Sequence, residues 1–414
     1  MTSNFGSVGA IAAEARTEED KMRGRATFSS LVGVLLALNG CTATVPGSPR
    51  DASGAGGSRG AAQLDAGRYP TQPRTPYGNA NSPTTGAVME AHRIANNVVL
   101  PNEVDPTLTK PSWFNTGTLA TSDAIAVDIP APGPDIAAAH HVLLGFSSCR
   151  TSESDILINV VLRFPDAAAA AGAASELAAK VTPPVPGRPV AIFNHPQAQA
   201  VGAEAEDFHA VESFLPHGPY VLYQYAQSDH GADAAAHLVA AALDLQVPRI
   251  DGFVSTDPAR FPDLPIDPDE FLNRVVPTDD KTSAADAMTN LGDYQPQAAL
   301  HFEPDPKAAA LYSAGGVDAV AILRTTVYRA RDAGAAEQMV DLAAADVAAG
   351  RGVKPVAAVP GLASAKCFDL GASERSQPRF ECVGSADRYV FRAASQHVRD
   401  AQQQMASQYL LLTS

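Results

Sequence analysis

Two stretches of this chain carry the same punctuation 166 residues apart, and that repeat limits the fold more than any other feature. In the first, Pro134-Asp135 leads into alanines, and a β-branched run then ends in Leu162-Arg163-Phe164-Pro165-Asp166 before an Ala-rich stretch. In the second, Asp305-Pro306 leads into alanines, and another such run ends in Tyr328-Arg329-Ala330-Arg331-Asp332 before alanines again. Each half continues through short strand-like segments to a serine, Ser228 or Ser395, that is expected to cap a second helix. Asp166 to Ser228 spans 62 residues and Asp332 to Ser395 spans 63. An Ala-rich coincidence does not hold register over that length, so the chain reads as a tandem duplication.

Each copy follows the order strand, helix, two or three strands, helix. Strands are expected at Ile156–Phe164, Val190–Asn194, Tyr220–Tyr225, Ala319–Tyr328, Arg379–Val383 and Tyr389–Ala393. Helices are expected near Thr85–Asn97, Asp166–Lys180, Asp229–Leu245, Asp332–Ala349 and Gln396–Leu412. The mix predicts an α+β fold of two tandem related domains, each a small, mainly antiparallel sheet with Ala-rich helices packed on one face. Between the copies, Asp251–Lys307 is rich in proline and holds twelve acidic residues against Arg260, Arg274, Lys281 and Lys307. The expected divisions are a leader and signal peptide at 1–40, a tether at 41–60, an N-terminal domain at 61–250, a connector at 251–307 and a C-terminal domain at 308–414. Ligand sites favour domain interfaces, so the best pocket is expected at the seam between the copies.

The amino-terminal region speaks to location. Arg23 and Arg25 precede an apolar run, Ala26 to Leu38, that ends in Leu38-Asn39-Gly40-Cys41. A basic segment, a short apolar run and small residues before a cleavage point describe an export signal too short to span a bilayer. Residues 1–21 carry Glu14, Glu18, Glu19 and Asp20, which suits a signal poorly. Met22 is the better start, and the preceding residues are read as an over-called start or else as a disordered leader. The Leu-x-Gly-Cys step resembles the lipobox of bacterial lipoproteins, which implies diacylglycerol on Cys41 and attachment to the outer face of the cytoplasmic membrane. Residues 42–60 are Gly/Ser/Pro-rich, a flexible tether with a reach of about 25 Å. The formal charge of −15 is unchanged by removing residues 1–40 and opposes binding to nucleic acid or to anionic head groups. Membrane attachment is therefore expected through the lipid alone.

The strings GRYPTQPR, EAHRIANNVVLPNEVDP (Glu90–Pro106), VVLRFPDAAAAA (Val160–Ala171) and VYRARDAGAAEQ (Val327–Gln338) resemble a family of mycobacterial and nocardial cell-envelope lipoproteins of unassigned function. The resemblance implies location and architecture and carries no known catalytic residue. Of the four cysteines, Cys41 is taken by lipid. Cys367 and Cys382 flank two strand-like segments and are expected to form a disulfide, which export permits. Cys149 is left single, as a small buried hydrophobe.

Candidate chemistry is sparse. Five of the ten histidines, His195, His209, His217, His230 and His237, fall close together in sequence, but no spacing matches a zinc site. Asp267, Asp269 and Glu270 lack the rhythm of a calcium loop and read as a solvated acidic turn. Ser228-Asp229-His230 are chain neighbours, whereas triads draw on distant segments. No nucleophile elbow or phosphate loop occurs. Tyr223 and Tyr225 share a strand face and are expected to pack under a helix, and Trp113 is read as a buried lid or an exposed partner anchor. The functional expectation is a lipid-anchored, non-enzymatic binding or interaction module without cofactor or metal, taking a small apolar or envelope-component ligand. An envelope hydrolase built on the His-rich face is the alternative, and a purely structural lipoprotein with no pocket is a third class.

Overall fold

In the computed structural model, the described residues are 64–112, 115–181, 187–206, 208–278, 290–371 and 378–414. Cys41, the signal peptide, the tether and Trp113 lie outside them. The chain builds two antiparallel sheets with the same wiring. In the first, the strands run in the order Leu144–Thr151, Asp155–Arg163, Tyr220–Ser228, Phe208–His217, Gln199–Ala205 and Gly187–Val190. In the second, Ala319–Ile322, Thr326–Arg329, Tyr389–Ser395, Phe380–Ala386, Lys366–Asp369 and Lys354–Val356 repeat that order. Short strands extend the outer edge of each: Lys110–Pro111 and Gly117–Leu119 in the first, and Gly292–Tyr294 in the second.

The duplication shows in the caps as well. Asp166 accepts the Ala169 N–H at 2.8 Å and opens the helix Ala167–Lys180. Asp332 accepts the Ala335 N–H at 2.7 Å and opens Ala333–Ala349. Asp166→Ala and Asp332→Ala should each cost about 1 kcal/mol, which urea unfolding of the two variants checks. Ser228 and Ser395 act alike, though not as helix caps. Each hydroxyl accepts the backbone N–H two residues on, from His230 and His397, at 3.2 Å. The helices start later, at Ala232 and Val398, because each serine still ends a strand.

Helices cover both faces of each sheet, and not one face as the pattern suggested. The run Val160-Val161-Leu162 gives the reason, since consecutive apolar residues point to opposite faces. Val160 and Leu162 meet Ala170, Ala173, Ala174 and Leu177 of the first helix. Val161 joins the core shared with Ala235, Val239 and Leu243 of the second helix, Ala232–Asp251. Small alanines let these helices lie close to the strands. In the second sheet, Tyr328 faces the helix Ala333–Ala349, while Val327 faces Val398–Thr413.

The expected strand Ala319–Tyr328 is a hairpin that turns at Leu323–Thr325. The strands Leu144–Thr151, Gln199–Ala205, Phe208–His217 and Lys366–Asp369 were not foreseen. Cys367 pairs with Cys382 directly across two strands and forms the disulfide. Cys149 is buried with a free thiol.

The seam is filled. The helix Pro83–Ala95, capped by Ser82, packs against edge strands of both sheets. His301 bonds to Ser148 Oγ at 2.7 Å and to the Ala95 carbonyl at 3.0 Å. The Arg150 guanidinium donates to the carbonyls of Thr109, Leu300 and Glu303. Phe146, Tyr294 and Phe302 fill the space between them.

Candidate functional site

Under the first long helix of each half lies a polar chamber built from matching positions. Asp128 directly follows a 3-10 turn, Asp123–Val127, and sits five residues before the short helix Gly133–Ala139. Glu303 follows the 3-10 turn Leu300–Phe302 and sits five residues before the helix Ala308–Gly315. Glu212 and Glu381 each stand five residues before the last pair of a strand hairpin, His217↔Tyr220 or Ala386↔Tyr389. Three residues into the return strand stand Tyr223 and Arg392. The two chambers therefore hold Asp128, Glu212 and Tyr223 in one copy, and Glu303, Glu381 and Arg392 in the other.

The first chamber is closed. Ile125, Ile129 and Ile136 pack over it, and Tyr223 stacks against Phe214 at 4.9 Å between ring centres. Tyr223 donates its hydroxyl to the Asp128 carbonyl at 3.2 Å. Asn115 donates to Asp128 Oδ1 at 3.1 Å, while Asp128 Oδ2 and Glu212 Oε2 have no partner among the described residues. Without a cation nearby, burial pushes both carboxyls up to about 7. Burial, and then the Asp128 charge, pushes the Cys149 thiol well upward, so it is an inert group here.

The second chamber is open. Arg392 Nε and Nη2 donate to Glu381 Oε1 at 2.9 and 2.6 Å, and Nη1 reaches Glu303 Oε2 at 3.3 Å. Tyr312 and Tyr328 both donate to Glu303 Oε1 at 2.8 Å. Burial, with the Glu303 charge beside them, pushes both phenols upward and keeps them as donors. This polar floor lies at the base of a groove of about 650 Å³ between the helices Ala308–Gly315 and Ala333–Ala349. Its walls are apolar: Ala308, Leu311, Ala314, Leu342, Ala343, Val347, Val353 and Leu370. Asp305, Lys307 and Asp346 stand at the rim. The helices cross closely at one end, where a Cβ on Gly315 would fall 2.0 Å from Met339 Sδ. Leu342 is left 45% exposed, and the Arg392 side chain keeps 26% of its surface.

The difference between the chambers has a local cause. The turn Asp123–Val127 sends Ile125 inward over the acids. The matching turn sends Leu300 and Phe302 into the seam core, with His301 between the halves, so nothing equivalent fills the second chamber.

The profile for the N-terminal part of a domain of unknown function, DUF7373, matches residues 77–266, and the profile for its C-terminal part matches 271–414. The chain belongs to the DUF7373 family. The boundary between the two DUF7373 parts falls in the turn around Asp267. A solved structure with a weaker likeness is the extracellular domain of PknH from Mycobacterium tuberculosis. It is 15% identical, with 37% of this chain and 94% of that domain covered, at a TM-score of 0.27. No relative was found among curated proteins.

Other hollows of this DUF7373 chain are less suited to a ligand. The seam, where the best pocket was expected, holds only about 410 Å³, lined by His92, Arg93, Asp293, Tyr294 and Arg329 among others. The helix Pro83–Ala95 and the ring of Tyr294 take up the rest of that space. A larger hollow, about 880 Å³, is a trough in the first half bordered by Asp105, Lys110, Glu153, Asp155, His230 and His237. Both histidines there are exposed. Ser152 and Ser154 donate to Asp155 directly, with no imidazole between. Partial burial pushes Asp155 up, but hydrogen bonds from Ser154, Ser228 and Ser152 and the nearby His230 bring it below the usual carboxylate range. The other histidines go elsewhere: His195 to Asp244 at 2.9 Å, His217 to Asp251 at 2.7 Å, and His209 beside Glu204 at 4.0 Å.

In the acidic turn Asp269 and Glu270 are exposed as expected, but Asp267 is not. Asp267 is buried and accepts the N–H groups of Phe271, Leu272 and Asn273 at 2.8–2.9 Å. Asp269 pairs with Arg329 at 2.9 Å. Among the described residues no group of three or more His, Cys, Asp or Glu side chains could hold a metal ion. Sequence reasoning passed over Arg392, Glu381 and Glu303. For Arg392 and Glu381 the signal was a charge within an otherwise apolar strand, as in YVFRAAS and FECVGSA, whereas Glu303 follows a 3-10 turn and carries no such signal.

Proposed function

We propose that this DUF7373 protein is a lipid-anchored cell-envelope binding module whose ligand lies in the groove of the C-terminal half. The groove itself carries the reading: apolar walls of a size suited to a small ligand, over a few converging polar groups. In the first-half trough Ser152 and Ser154 bond straight to Asp155 with no histidine relay, which sets the hydrolase alternative behind. Native mass spectrometry of the full protein, extracted from its own envelope, should show a retained ligand mass. Ala310→Trp, on the exposed wall of the groove, should lose that mass. A mass that persists in the variant, or none in the native protein, would count against the reading.

Anchoring rests on the basic-apolar-Cys41 order and the Gly/Ser/Pro-rich stretch after it. Each acyl CH₂ buried contributes about 0.8 kcal/mol, so two or more chains hold a protein at a membrane. Cys41→Ser should move the protein from the membrane fraction to the supernatant after a carbonate wash. A variant that still pellets would remove the anchor from the account.

A further inference from the structure

The charge on the groove floor says what kind of head group it accepts. Glu303 and Glu381 place two carboxylates there against the one guanidinium of Arg392. All three Arg392 nitrogens already face an acceptor: Nε and Nη2 take Glu381, and Nη1 takes Glu303 and the Tyr328 hydroxyl at 3.4 Å. The Arg392 cation is thus used up internally, and Arg150, whose charge acts on Glu303 and Asp305 from the seam, is itself held by the carbonyls of Thr109, Leu300 and Glu303. At the rim, Lys307 is shared between Asp305 at 3.6 Å and Asp346 at 3.3 Å, so the four carboxylates of Glu303, Glu381, Asp305 and Asp346 stand against the three cations Arg392, Arg150 and Lys307. A second anion brought among these groups would find no free partner and strong repulsion in a half-dry site. A cation would complete the count.

We propose that the groove binds a monomeric single-chain amphiphile with a cationic head group, its tail along Leu311, Leu342 and Val347 and its head near Glu381. This rests on the binding reading above and deepens it. The test titrates the full chain with dodecyltrimethylammonium, dodecyl sulfate and dodecyl maltoside, each below its critical micelle concentration, by calorimetry. The three probes share a tail, so the head group alone distinguishes them. The cationic probe should bind at least about tenfold more tightly than the sulfate, and raising salt should narrow the gap. Glu381→Gln, checked for an intact melting transition, should abolish the preference. If that variant fails to fold, the exposed rim change Asp346→Asn should still reduce it. Equal binding of all three would overturn the head-group assignment and leave the groove standing. Tighter binding of the sulfate would overturn it also. Binding of none would remove the groove as a ligand site.

Discussion

The melting temperature of this protein should rise as pH falls from 8 to about 5. Two buried carboxyls and the half-buried Asp293 set the sign. Burial pushes Asp128 and Glu212 up to about 7, and burial with the charges of Asp267 and Asp269 does the same to Asp293. The folded state therefore holds protons that the unfolded chain has released above its ordinary values of 3.8 and 4.5. Each contribution is fully present below the unfolded value and is lost as pH rises through the folded one. Each is on the order of 3–4 kcal/mol.

One group opposes them. Burial pushes His301 down to about 3, so its contribution is lost as pH falls below 6.5. One proton against three leaves the balance in favour of acid until the unfolded carboxyls also protonate. Below that, Asp369, held at about 2 by Arg379 and the Gly371 N–H, starts to lose its advantage over the unfolded chain. A net change of several kcal/mol corresponds to a shift of about 5–10 °C in a chain with domains of this size. Calorimetry across pH 4–8 reads it, and Asp128→Asn with Glu212→Gln should flatten the profile while raising stability at pH 8. A wild-type profile that is flat, or that peaks near pH 8, would contradict the closed chamber.

Arg392→Met should be the most damaging single change in the second half. It strands Glu303 and Glu381, whose side chains are 9% and 14% exposed, without their shared cation. Removing one partner of a largely buried ion pair costs about 3–5 kcal/mol. Urea unfolding measures that loss, and the double change Arg392→Met/Glu381→Gln should recover a large part of it. If the single variant loses less than about 1 kcal/mol, the three groups do not form the coupled floor described here.

The parts of the fold that local chemistry controls were legible in the sequence. Asp166 and Asp332 announce helix starts because a capping side chain acts within three residues of itself. That the two sheets share one wiring follows from that repeat, though the strand order itself does not, and the pairing of Cys367 with Cys382 was expected from the strand-like segments beside them. What stayed hidden depends on contacts far along the chain. Leu144–Thr151 reads poorly as a strand because Gly145, Ser147 and Ser148 interrupt its apolar run, yet it pairs with Asp155–Arg163 on one side and edge strands on the other. The larger groove went unforeseen, and a pocket was expected at the seam instead, for the same reason. Whether a turn sends Ile125 inward or Phe302 outward is settled by the partner surface, and no periodicity records it.

Methyl-resolved NMR of the full chain titrated with a dodecyl amphiphile tests most directly the contrast between a closed first chamber and an open second one. The account predicts shifts confined to Leu311, Leu342, Val347, Val353 and Leu370, with Ile125, Ile129, Leu162 and Leu177 unmoved. Shifts centred on the first-half residues, or spread evenly over both halves, would contradict it.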